Sequence, residues 1–239
     1  LNLTEKIYLI GGSAYGYSAP GDCNLYMVDC GDSLAMIDSG GGAGILNVMD
    51  NIKRMGLDEK QIEVLFVTHC HYDHIGGNYE LKKRTGCKIA AHEAEVDEIE
   101  KLGVLSLYEM AKQEGLEFKP SKVDIHLSDG QLLRVGDVDF KIIHTPGHTP
   151  GGICLLTKEG NSTNLFSGDT ASAQGKLGWI NGPGCDIAEW KRSIKKLVKI
   201  EPDRMFPGHG VFVLSGATDH LKQLDVNMNT PWTVVVPSG

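Results

Sequence analysis

No uninterrupted apolar stretch in the sequence approaches the roughly 18–20 residues that a membrane span needs, so no membrane role is expected. Nor is there a long run of Lys and Arg. The 23 basic residues are set against 31 acidic ones, a net charge of −8, and this weighs against a nucleic-acid partner. The six cysteines, Cys23, Cys30, Cys70, Cys87, Cys154 and Cys185, contain no C-x-x-C pair. That argues against a disulfide framework and against a cysteine-only zinc site. They read as reduced thiols of a cytoplasmic protein, although Cys23 and Cys30 are near enough in sequence to pair. The opening LNLTEKIYLIGG lacks the basic start and long apolar run of a secretory signal. Repeats and low-complexity linkers are missing too, so 1–239 reads as one domain.

What is plentiful is glycine, 30 residues, which suits short strands and tight loops better than long helices. Strands are expected at 6–10, 24–28 and 33–38, the last two joined as a hairpin by the CGDS turn. Residues 45–56 place apolar side chains at 45, 48, 49, 52 and 55, the spacing of an amphipathic helix that Gly56 can end. IEVLFVT at 62–68 is apolar and β-branched, a buried strand. A helix near 78–86, a strand at 87–91 and a helical stretch over 93–116 follow. Further strands are expected near 123–127, 131–135, 138–144, 152–157, 163–167 and 203–206, with helices near 186–199 and 217–228. The tail TPWTVVVPSG is either an edge strand or loose. Strands and helices thus fall into two similar halves, a pattern that two packed sheets flanked by helices would bury.

Chemistry concentrates in Thr68-His69-Cys70-His71-Tyr72-Asp73-His74-Ile75-Gly76-Gly77. Three of the nine histidines fall in one hexapeptide, far more than a polar surface loop would hold by chance. Extended backbone turns residues 69 and 71 to the same side, and Asp73 and His74 follow on the next part of the turn. Alternation turns Cys70 away. Three later segments each end an apolar strand in a tight loop: TPGHTPGG with His148, LFSGDT with Asp169, and RMFPGHG with His209. Imidazole and carboxylate donors converging from strand ends are what a metal site needs. Asp38, which ends SLAMID, is either a support for the metal loop or a turn cap. His144 either supports the site through a hydrogen bond or simply closes its strand. His92 reads as a cap or a surface residue, and His126 and His220 carry no assignment. Tyr15, Tyr17 and Pro20, with Trp179, Ile180 and Asn181, are candidates to border a substrate pocket. The apolar side of 101–118 reads first as core, with a lid or a homodimer contact as its other uses.

The order H-x-H-x-D-H, then His in TPGHT, Asp in GDT and His in PGHG resembles the metallo-β-lactamase superfamily. The resemblance implies an α/β fold, a four-layer αβ/βα sandwich with its site between the edges of two sheets. It also implies a ligand set: His69, His71 and His148 on one metal, Asp73, His74 and His209 on a second, and Asp169 bridging them. Two divalent cations are expected. Affinity order favours zinc, and iron and manganese suit the same donors. A water held by such cations gives up a proton near neutral pH and attacks, and Asp73 is the candidate catalytic residue that orients it and passes the proton on.

The fold alone does not name a substrate. The β-lactamases of the superfamily carry Cys or Ser where Asp169 stands, and the flavodiiron oxygen reductases carry Glu where His71 stands. Both departures weigh against those branches. Acyl-homoserine lactonases usually have Tyr three residues beyond the bridging Asp, where this sequence has Ser172. The FSGDT and TPGHT wording resembles glyoxalase II. Glyoxalase II continues into a helical C-terminal domain with basic glutathione-binding residues, and residues 1–239 show no matching segment, so the resemblance rests on the site and leaves glutathione recognition open. The reading is a hydrolase of a small-molecule thioester, ester or lactone. The alternative is a persulfide dioxygenase-like oxidoreductase using one iron on His69, His148 and Asp169. A metal-dependent nuclease or β-lactamase ranks below both.

Overall fold

The computed structural model describes residues 1–178 and 182–230. Trp179, Ile180, Asn181 and the tail from 231 onward, singled out from sequence, lie outside the described residues. The chain opens with β1 (Ile7–Gly11), β2 (Leu25–Asp29) and β3 (Leu34–Ile37), then α1 (Ile45–Arg54) and β4 (Ile62–Phe66). There follow α2 (Tyr72–Ile75), α3 (Asn78–Thr85), β5 (Lys88–His92), α4 (Val96–Lys101), α5 (Tyr108–Gln113) and β6 (Ile125–Leu127). The second half runs β7 (Leu132–Val135), β8 (Val138–His144), β9 (Ile153–Glu159), β10 (Ser162–Gly168), α6 (Ile187–Val198), β11 (Arg204–Pro207) and α7 (Ala217–Asn229). None of these helices is long and apolar enough to cross a membrane.

One sheet has the order β1-β2-β3-β4-β5-β6 and the other β11-β10-β9-β8-β7. The first is antiparallel from β1 to β3 and parallel from β3 to β6; the second is antiparallel except for the parallel β10–β11 pair. Period-two burial explains how the sheets stack. Val64 and Phe66 of β4 point inward to meet Phe140, Ile142, Leu155 and Phe166 of the other sheet. Leu65, in the same strand, points outward to Val48, Ile52 and Leu81 of α1 and α3. On the far side Leu165 and Met205 meet Trp190, Ile194, Leu197 and Leu221 of α6 and α7. Helices, sheet, sheet and helices therefore form four layers, the αβ/βα sandwich of the metallo-β-lactamase fold.

The stretch 93–116 is not one helix. Leu102 and Leu107 adopt left-handed backbone (φ 49° and 58°) and break it into α4, α5 and short 3-10 turns. The Glu98 carboxylate accepts from Leu105 N at 2.8 Å across the break, replacing the helical hydrogen bonds lost there. Leu102, Leu105 and Phe118 pack against the outer core, so the apolar side of 101–118 serves as core.

His92 is 5% exposed, stacks on His144 with ring centroids 4.0 Å apart, and accepts from Ala94 N. It is a cap, but a buried one. Burial, and then the neighbouring His144, push it down from 6.5 to about 4. The unfolded chain therefore binds this proton more readily. The stabilisation is in place above pH 6.5 and is lost as pH falls toward 4. Between pH 7 and 5 the loss is about 2 kcal/mol. His92→Asn keeps a capping acceptor and should flatten the pH dependence of the urea-unfolding free energy by about that amount. Parallel curves for the variant and the parent would contradict it.

Candidate metal centre

Strand ends and the short helix α2, which carries Asp73 and His74, bring the sequence-nominated ligands together. His69 and His71 follow β4, His148 follows β8, Asp169 follows β10 and His209 follows β11. Two glycines let these loops meet. A Cβ on Gly168, which has φ 48°, would stand 2.8 Å from the Thr68 side chain. One on Gly208 would stand 2.4 Å from Asp169 Oδ1 and 2.8 Å from His74 Cε1. Real Cβ atoms are not found this close, so both positions require glycine.

The seven side chains form overlapping groups. Ligand atoms of His69, His71 and His148 lie within 4.8 Å of one another, and so do those of Asp73, His74 and His209. Within the first, His148 Nε2 is 3.0 Å from His71 Nδ1. Within the second, Asp73 Oδ2 is 3.0 Å from His209 Nε2 and 3.6 Å from His74 Nε2. Asp169 stands between them. Its Oδ2 is 3.6 Å from His148 Nε2 and 3.5 Å from His209 Nε2, and its Oδ1 is 3.4 Å from His74 Nε2.

The supporting hydrogen bonds explain which ring nitrogens face the site. Thr68 N and Oγ1 both donate to the Asp38 carboxylate at 2.8 Å. With its proton committed, Thr68 Oγ1 accepts from His69 Nδ1 at 3.1 Å, which leaves His69 Nε2 as a lone-pair donor. Asp38 Oδ2 also takes His74 Nδ1 at 2.8 Å and turns His74 Nε2 to the site. Asp38 is thus the support of the metal loop, the first of the two roles open to it, and it holds φ 58° to do so.

Charge follows from packing. Burial, reinforced by its imidazole neighbours, keeps His69 well below its ordinary range, and burial with His148 lowers His71 to about 3. Burial alone would raise Asp73 and Asp169, but the surrounding histidines hold both below the usual carboxylate range. The same carboxylates raise His74 and His209 against the pull of burial. His69 and His71 thus offer neutral imidazoles at once, while His74 and His209 would give up a proton as a divalent cation binds beside the anionic carboxylates. Buried His69 Nε2, His74 Nε2 and Asp169 Oδ1 make no hydrogen bond. Orphaned polar atoms are costly in a folded core, and a cation would satisfy all three. The residues therefore fit the metals that the donor set calls for.

Three supporting residues escaped sequence reasoning. Asn24 Nδ2 donates to Pro207 O and Gly210 O, both at 3.0 Å, and Tyr26 Oη to Pro207 O at 2.8 Å; together they hold the loop of His209. Trp190 lies 5.2 Å from the His148 ring and donates to Thr170 O at 2.7 Å. Only the apolar spacing of α6 hinted at Trp190. His144 closes β8 and bonds Pro150 O at 2.9 Å, supporting the His148 loop. Tyr15 donates to Gly210 O at 3.2 Å. His220 accepts from Gln174 N at 2.8 Å, steadying the segment after Asp169. His126 is exposed on β6. All six cysteines are free thiols, and Cys70 is buried in the outer core.

A family model described as the metallo-beta-lactamase superfamily matches residues 18–209. A probable metallo-hydrolase of Methanocaldococcus jannaschii is 30% identical over 83% of this chain and 90% of its own. The hydroxyacylglutathione hydrolase GloC of Haemophilus influenzae is 32% identical over 82% and 88%. The human acyl-coenzyme A thioesterase MBLAC2 is 26% identical over 81% and 75%. Among solved structures, a subclass B3 metallo-β-lactamase of Bradyrhizobium japonicum superposes with a TM-score of 0.74 at 22% identity, covering 95% of this chain and 89% of that one. At that identity the likeness is one of fold.

Proposed function

The chain belongs to the metallo-β-lactamase superfamily, and from that premise we propose that it is a dinuclear metal-dependent hydrolase of thioesters. The observation that carries the proposal is the position of Asp169 between two assembled ligand groups. In this reading His69, His71 and His148 hold one ion, Asp73, His74 and His209 hold the other, and Asp169 is shared. Bound there, divalent cations supply a hydroxide nucleophile at neutral pH and Lewis acidity for the scissile carbonyl. Zinc is the metal that affinity favours for such donors.

The protein's own groups do the rest. Asp38 and Thr68 fix the rings of His69 and His74, so the donors are aimed before substrate arrives. Asp73 is 17% exposed and His209 43%, which places them where the site opens to solvent. An anionic carboxylate there can take a proton from the attacking water and return it to the departing thiolate. Thioesters are preferred to lactones because two relatives bear names of thioester-cleaving enzymes, hydroxyacylglutathione hydrolase and acyl-coenzyme A thioesterase. The one-iron dioxygenase reading needs only His69, His148 and Asp169 and leaves the assembled group of Asp73, His74 and His209 without a use. The test is a panel of glutathione and coenzyme A thioesters, an oxygen ester and a lactone, read by thiol or acid release. Turnover led by thioesters supports the proposal, and silence across the panel sinks it.

A further inference from the structure

Resting on that reading of the centre, we infer that Glu95 is the positioning residue that sets the first ligand group, by tying together the two loops that supply it. Glu95 is 1% exposed. Its Oε2 accepts from Cys70 N at 2.8 Å, and its Oε1 accepts from Gly151 N at 2.6 Å. Cys70 lies between His69 and His71, and Gly151 lies three residues beyond His148. The two loops hang from different sheets, so the spacing of the three imidazoles depends on whatever links them. One link is the backbone bond from Ile153 N to Thr68 O at 2.9 Å. A second link, which holds a backbone amide of each loop, is this carboxylate.

The chemistry of the link accounts for the residue type. Two amides pointing at one buried spot need two acceptors on a short planar fork, and a carboxylate supplies both at once. Space has been left for it. A Cβ on Gly151 would stand 2.5 Å from Glu95 Cγ and 2.9 Å from Oε1.

Cobalt(II) titration of the metal-free protein, followed by its absorption spectrum and by chelator competition, tests the inference. In Glu95→Gln one acceptor becomes an amide nitrogen that opposes an N–H. The affinity for one ion should fall about 10–100-fold while the other is kept. In a His209→Ala background, which removes a ligand of the other group, the loss should persist. Glu98→Gln serves as the control, because Glu98 accepts from Leu105 N and bonds neither loop. It should leave both affinities unchanged. If Glu95→Gln does not fold, Gly151→Ala replaces it. That variant keeps the carboxylate but crowds it, and it should show the same selective loss. Unchanged affinities in either variant would overturn the inference. So would an equal fall at both ions together with a lower urea midpoint of the metal-free protein, or the same effect in Glu98→Gln. A parent protein that takes up no cobalt would instead overturn the reading of the centre, and the inference with it.

Discussion

Asp169→Asn is expected to slow thioester turnover by about 10³-fold and to leave the protein with fewer than two metal ions per chain. The magnitude follows from what the residue touches. Its two oxygens reach the ring nitrogens of His148, His209 and His74 at 3.4 to 3.6 Å, so one side chain serves both groups. The amide keeps one oxygen but loses the charge, and its nitrogen faces an imidazole that also has to donate to metal. Metal Lewis acidity and the activated water are together worth several kcal/mol, and each 1.36 kcal/mol is a factor of ten in rate. Metal content and kcat measured on the same preparation check it. Two ions per chain with activity within tenfold of the parent would remove Asp169 from the bridging role.

The second large effect is expected at Asp73. Asp73→Asn should lower kcat by about 10²–10⁴-fold, the range that a positioned acid or base contributes. Asp73 differs from Asp169 in having two duties, as ligand and as carrier of the proton, and substrate choice separates them. A thiolate leaves without much help, whereas an alkoxide needs a proton. If Asp73 delivers that proton, the substitution costs more on an oxygen ester than on a thioester with the same acyl group. Equal losses on the two substrates would reduce Asp73 to a ligand.

Much of this centre was legible in the amino-acid order because its donors are rare residue types placed where buried strands stop. IEVLFVT must be a strand buried on both faces, and His69 and His71 follow it in alternation. The same logic placed His148, Asp169 and His209. Asp38 was half legible. Its position before a glycine run suggested either a cap or a support, and only the 2.8 Å contacts to Thr68 and His74 decide between them. Leu102 and Leu107 misled, since leucine favours helix and nothing local announces left-handed backbone at either position. Asn24, Trp190 and Glu95 were missed for a different reason. The work of each is done on partners distant in sequence, such as Asn24 on Pro207 or Glu95 on Gly151. Local pattern carries no trace of those pairings.

The most direct test of the account is metal content by mass spectrometry on protein purified without added metal, run beside the thioester panel. The account predicts close to two divalent ions per chain together with thiol release. Near one iron per chain, with oxygen uptake on a persulfide and no hydrolysis, would contradict it.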